Sequence, residues 1–411
     1  MLIALAPLRD RQEQVVGYQL HSHVPSSAPP TGLTRGVVNG GAAAWHAREL
    51  LNFVPALSRL ADATVLVRTT PGLVHDRSLQ RLDHLDVVWM VSADDLVDPS
   101  LRRELAQQLG GGLHFAIDGF PEGDPLPAAF AESMVVLDAA TLSPAMLEIR
   151  SRMLVEAGLR PMVTGVDDRV THQRALQAGA QVIGGRPLTR GAAIAPDRAT
   201  EDSIFRVINI LAKFAETTTP DASFDQFIRE DPYIATSLLK TISSAAIGVR
   251  TARSVEHAIQ LLGREAVVER MLQVTGRMIG EVGGDQELAA TALRRARVCD
   301  LVGRQVEPTA QQRTLQLAGL LSTLEWALGR PADTIASRLT LPPRLADILV
   351  HRTGPLGLLI DALDAYECGW WPSFEERCRQ LGLPPATLGD AWVEAWQWAR
   401  DELSTGRGDF L

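Results

Sequence analysis

Eight short β-rich runs, spaced by helix-length segments, fill the first 200 residues and then cease near residue 197. The runs are Leu2–Leu5, Val15–Leu20, Thr64–Arg68, Asp86–Val91, Leu113–Asp118, Met134–Asp138, Pro161–Thr164 and Gln181–Ile183. Several are apolar on both faces, as strands buried within a parallel sheet are. Helices are expected over Ala42–Leu60, Pro99–Leu109, Ser143–Ala157 and Asp168–Ala178. Asp98 and Ser143 stand as N-caps ahead of Pro99 and Pro144, while Gly158 and Gly179 close two helices. Eight strands with interposed helices predict a compact α/β barrel of TIM type. Ser22–Gly41, rich in Pro, Ser and Gly, is expected as a long loop.

Beyond Gly191–Thr200, the expected junction, only helical periodicity remains. Helices are expected over Glu201–Glu216, Ser223–Arg229, Pro232–Ser243, Ser254–Leu262, Arg264–Ile279, Gln286–Val302, Thr309–Leu328 and Pro343–His351. Ser254 is an N-cap, with Gly263 and Gly280 as stops. The chain therefore divides into a barrel over 1–195 and an all-α domain over 196–405, in keeping with a length of 411 residues. Trp392 and Trp396, four apart in the last helix, are expected to pack it down.

Composition removes several function classes. No apolar run approaches the roughly 20 residues of a membrane span, and the N-terminus lacks a secretory leader, so a cytoplasmic protein without membrane insertion is expected. The three cysteines, Cys299, Cys368 and Cys378, suit a reducing compartment, and no zinc site is expected at them. The net charge is −9 and no Lys/Arg-rich run marks nucleic-acid binding. The only lysines are Lys213 and Lys240, so no chemistry of the first half depends on one.

Residues 231–263 resemble the core of an HDOD domain: Asp231–Pro232 opening a helix, Leu238–Leu239, Ser243–Ser244–Ala245, Gly248, then Ser254–Val255–Glu256–His257–Ala258–Ile259 with Leu262–Gly263. The first half is similar to the EAL fold, the barrel of cyclic di-GMP phosphodiesterases, as found in EAL–HDOD two-domain signalling proteins. The likeness is carried by residues 175–187 (ALQAGAQVIGGRP), 10–20 (DRQEQVVGYQL), 60–74, 114–120 (HFAIDGF) and 134–138 (MVVLD).

The resemblance implies two divalent metals held by carboxylates and an asparagine at strand C-termini, with a Lys and a Glu activating water. Residue by residue, those positions have changed. The Glu of the EAL signature falls at Gln19, and the segment after it at His21, Ser22 and His23, with His23 in the place of the phosphate-binding arginine. The metal-binding Asn falls at Arg68, a fixed cation whose charge opposes a dication by several kcal/mol. Met90 stands for a metal-binding Glu, Asp118–Gly119 for the Asp pair, Val136 for the lysine, and Thr164 for a further Glu with Asp167 beyond it. Gly184 and Arg186 replace the closing Gln and aromatic, leaving Asp118, Asp138 and Asp167 as carboxylates.

These changes predict a degenerate barrel: no catalytic residue, no metal or other cofactor, no enzyme. The expected function is a regulatory adaptor of bacterial signalling acting on protein partners. One alternative is a cyclic di-GMP receptor whose contacts are rebuilt on Arg68 and Arg186; another is a residual metal-dependent phosphodiesterase using Asp118, Asp138 and Asp167. EAL-type barrels often pair, which leaves a homodimer open, though no residue marks an interface. Other constellations are expected to be structural. His21 and His23 share a strand face at a solvated strand end without a third ligand, and His257 lies in a helix. His75–Asp76 lies far from the helical half, and Gly110–Gly112 is no phosphate loop.

Overall fold

The computed structural model describes residues 1–23, 51, 54–55, 63–122, 126, 128–166, 168–185, 198–216, 254, 257 and 263–405. The chain folds as two compact units, one over 1–186 with 367–369 and the other over 187–366 with 370–411.

In the first unit eight strands close into a barrel in sequence order: β1 (Leu2–Asp10), β2 (Val15–His23), β3 (Thr64–Arg68), β4 (Val87–Ser92), β5 (His114–Asp118), β6 (Met134–Asp138), β7 (Arg160–Val166) and β8 (Val182–Gly185). The α/β barrel expected from the alternating runs is the fold observed. From β2 to β8 the neighbours are parallel. β1 is antiparallel to both β2 and β8, and it runs to Asp10 where the expected strand stopped at Leu5. The hairpin explains the extension: the β1 backbone finds ladder partners along β2 and, at Leu8–Asp10, along β8 as well.

Strand residues point alternately inward and outward. Leu8, Leu66, Val88, Met90, Ala116, Val136, Met162 and Val182 meet inside the barrel, each between 0% and 9% exposed. The crossover helices begin where the sequence places caps. Asp98 accepts from the Ser100 amide ahead of Pro99–Gly110, and Ser143 from the Met146 amide ahead of Pro144–Glu156. Each such cap stabilises by about 1 kcal/mol.

The second unit is helical throughout its described residues, with helices at Arg198–Glu216, Arg264–Gly283, Gln286–Val306, Gln312–Leu321, Leu324–Leu328, Ala332–Arg338, Pro343–His351, Gly354–Glu367, Trp371–Leu381 and Pro385–Thr405. The first helix starts at Arg198, ahead of the expected Glu201, and the Gln286 helix runs to Val306, past the expected Val302, while two further boundaries fail for a visible reason. Gly280 does not stop its helix, which continues to Gly283 and ends on Gly284 at φ +66°. A Cβ on Gly280 would lie 2.6 Å from Ala289 Cβ, so this glycine lets the next helix approach closely. The expected Thr309–Leu328 helix breaks at Ser322–Thr323, where both hydroxyls donate back to carbonyls of the preceding turn, Gly319 O and Leu320 O. Trp392 and Trp396 are buried with ring centroids 4.9 Å apart, packing the last helix as expected. Of the remaining expectations, the Ser22–Gly41 loop beyond His23, most of Ala42–Leu60, Ser223–Arg229, Pro232–Ser243 and most of the junction lie outside the described residues.

Candidate functional site

The C-terminal ends of the parallel strands converge on the barrel mouth. Gln19, His21 and His23 occupy alternate positions of β2, in register so that Gln19 faces Leu66 of β3. Arg68 follows the interior residue Leu66 by two, Asp118 follows Ala116, Asp138 follows Val136, Thr164 follows Met162 and Gly184 follows Val182. The period of two therefore carries each of these residues to the inner face, one layer above the apolar plug. Met90 and Val136 belong to the plug itself and are buried at 2% each. Asp167 and Arg186 lie outside the described residues.

Arg68 and Asp118 form an ion pair, bridging across β4 from β3 to β5. The arginine side chain is 64% exposed and the carboxylate 23%. Burial pushes the Asp118 carboxyl above its ordinary value. Arg68 opposes that shift, while the negative charges of Asp138 and Asp94 add to it. Arg68 is thus the cation set against three carboxylates. Asp94 is not among the residues the sequence singles out, although its place just after β4 marks it as a strand-end carboxylate.

Asp138 Oδ1 accepts the Ala140 amide at 2.9 Å. Gly165, at φ +68°, passes so close that any Cβ there would collide with the same oxygen. His21 departs from expectation. The strand end is half-buried rather than solvated, and burial, with Arg68's charge adding, lowers the imidazole to about 4, so it is neutral at physiological pH. Among the described residues no group of three His, Cys, Asp or Glu side chains is arranged to hold a metal ion.

In the helical unit, Ser254 Oγ accepts the His257 amide at 3.1 Å, the N-cap bond its position called for. Gly263 has φ +81° and immediately precedes the Arg264–Gly283 helix. Asp231 and Pro232 lie outside the described residues. Residues 205–328 match the HDOD domain family.

The chain carries an HDOD domain. It is also 23% identical over 192 residues to the cyclic di-GMP phosphodiesterase CdgJ of Vibrio cholerae serotype O1, a match covering 46% of this chain and 44% of that protein. The match thus spans less than half the length of this relative. Among solved structures it is similar to the Bacillus subtilis YkuI protein, which has an EAL domain and is complexed with c-di-GMP and calcium. That likeness has 14% identity and TM-score 0.34, over 56% of this chain and 71% of the other. The c-di-GMP-bound FimX EAL domain of Pseudomonas aeruginosa gives 19% identity and TM-score 0.35, over 45% and 87%. Likenesses this loose add nothing to the barrel, which the strand order shows directly. The EAL–HDOD resemblance read from the sequence agrees with the match to the HDOD model in the helical half and with the likeness to CdgJ. The expectation that the chain is no enzyme is corrected: CdgJ is a named phosphodiesterase. No described helix is long and apolar enough to cross a membrane.

Proposed function

We propose that this chain is a regulatory protein of cyclic di-GMP signalling whose output is contact with protein partners. The observation that carries this reading is the Arg68–Asp118 ion pair, which sets a cation of the protein itself against a carboxylate of the mouth. Where the resemblance implies an exchangeable cation bound by carboxylates and an asparagine, a covalently attached guanidinium already meets the carboxylate. Gln19, His23 and Gly184 offer no anionic oxygen beside it. Surfaces of the barrel and of the HDOD domain are then what a partner recognises.

Two further readings each have an observation in their favour. Arg68, two-thirds exposed, supports a receptor in which its guanidinium turns to a phosphate of cyclic di-GMP. The likeness to CdgJ supports hydrolysis by a metal held at Asp118, Asp138 and Asp167. Calorimetric titration of the full chain with cyclic di-GMP, first in Mg²⁺ and then in EDTA, with the nucleotide analysed afterwards, separates them. The adaptor reading expects no saturable heat. Saturable binding in EDTA lost in Arg68→Ala establishes the receptor instead. Mg²⁺-dependent turnover lost in Asp118→Asn establishes the hydrolase.

A further inference from the structure

A barrel of this kind is ordinarily ringed by one helix per crossover. The β4–β5 and β6–β7 connections carry the Pro99–Gly110 and Pro144–Glu156 helices. Among its described residues, the β5–β6 connection between them forms only the turn Ala128–Phe130. The ring therefore lacks a helix on one side of Pro144–Glu156.

That side carries an apolar stripe. Leu147, Ser151 and Leu154 of the helix are buried, whereas Met146, Ile149 and Met153, at i, i+3 and i+7, are each between 40% and 52% exposed. Arg150 borders the stripe, four residues after Met146 and three before Met153. It reaches into the β5–β6 connection, its guanidinium 5.1 Å from the Phe120 ring centroid and 3.3 Å from Glu122. Val155 marks the other flank: a Cβ on Gly179, just past the Arg169–Gln177 helix, would lie 3.1 Å from it. The stripe thus runs along the open side. Large apolar side chains aligned in water, rather than scattered singly, mark an interaction surface. The rim is acidic where the helix ends. Arg150 is met by Glu122 and Arg152 by Glu148, the latter at 2.7 Å. Glu156, exposed, continues the line of Ile149 and Met153. Glu132, also exposed, stands at the same end, its amide donating to Gly158 O at 3.0 Å. The negative pole of the helix adds to both.

We propose that this edge docks an amphipathic helix of a partner protein, basic along its flank, in the place of the missing crossover helix. Its apolar face covers Met146, Ile149 and Met153, a span of about 10 Å or two turns. Its lysines or arginines answer Glu132 and Glu156. A second copy of the chain fits less well, because an antiparallel twofold through the middle of the stripe sets Arg150 against Arg150. The inference rests on the reading of the chain as an adaptor for protein partners. The nucleotide titration tests that reading at the mouth and the following titration tests this edge, so either can fail without the other. The probe is a stapled helical peptide of about four turns, with leucines at i, i+3 and i+7 flanked by lysines. It is titrated into the full chain by fluorescence anisotropy at about 0.15 M salt, where diffuse attraction to an acidic protein is screened. One saturable site is expected. Ile149→Lys, a change at an exposed position, is expected to weaken binding by about tenfold or more. Glu156→Lys is expected to weaken it by about threefold, and Arg68→Ala to leave it unchanged. Absence of saturation, equal affinity for the peptide with glutamates in place of its lysines, or an affinity that neither Ile149→Lys nor Glu156→Lys alters overturns the proposal. A dimer in sedimentation that Ile149→Lys dissolves makes a second copy the occupant and overturns it equally.

Discussion

The same chemistry, arginine against carboxylate, appears in both units under opposite conditions. At the barrel mouth Arg68 meets Asp118 with the arginine 64% exposed. In the helical unit Arg294 meets Glu287 at 2.6 Å with both side chains near 5% exposed, and Arg295 meets Asp364 at 2.6 Å with the arginine at 1%. The helical arginines are also stacked, Arg294 over Trp396 at 4.1 Å and Arg295 over Trp326 at 4.4 Å. A buried, stacked guanidinium has no freedom to exchange partners and acts as architecture. An exposed one remains available to a competing anion or cation. Ion-pair geometry alone therefore does not mark a site; solvent access separates the two cases.

The contrast is broken most forcefully in the helical unit. Arg295→Ala removes the bonds to Asp364 and Ser322 and the stacking on Trp326, and is expected to destabilise that unit by about 3–5 kcal/mol in chemical denaturation. A loss below about 1 kcal/mol would place this pair in the exposed class.

A smaller effect belongs to His21. Its folded value of about 4 lies below the ordinary 6.5, so the unfolded chain takes up a proton first as pH falls. Stability contributed by the neutral imidazole is present above 6.5 and is lost between 6.5 and about 4, by about 3 kcal/mol at most. Asp118 and Glu269, whose values burial raises, act in the opposite sense over that window. The clean readout is thus the stability of wild type minus that of His21→Gln, which should fall as the pH falls through it. Parallel pH profiles would show that His21 is not enclosed. The smallest effect is expected at the mouth pair: Arg68→Ala should change the free energy of unfolding by under about 1 kcal/mol, as exposed pairs do.

Local pattern makes much of the fold legible. Thr64–Arg68, Met134–Asp138 and Pro343–His351 have the observed bounds, because their flanking residues break the pattern sharply. β1 outruns its local pattern because its pairing with both β2 and β8 is a property of closure, not of its own residues. The helix through Gly280 outruns its expected stop because a glycine serving close packing has the same local signature as one serving a C-cap. At the mouth, residue identities are visible in the sequence but the Arg68–Asp118 contact is not, since it joins strands separated in the chain. Asp94 escapes notice for the same reason: its influence on Asp118 exists only once β4 and β5 lie side by side.

The most direct test of the mouth is thermal unfolding of the full chain with and without saturating Mg²⁺, beside the Arg68→Asn variant. If Arg68 already occupies the cation's place, the wild-type midpoint stays where it is when Mg²⁺ is added. A wild-type midpoint that rises with Mg²⁺, as binding to the folded state requires, would contradict the account and show the carboxylates free to take a metal.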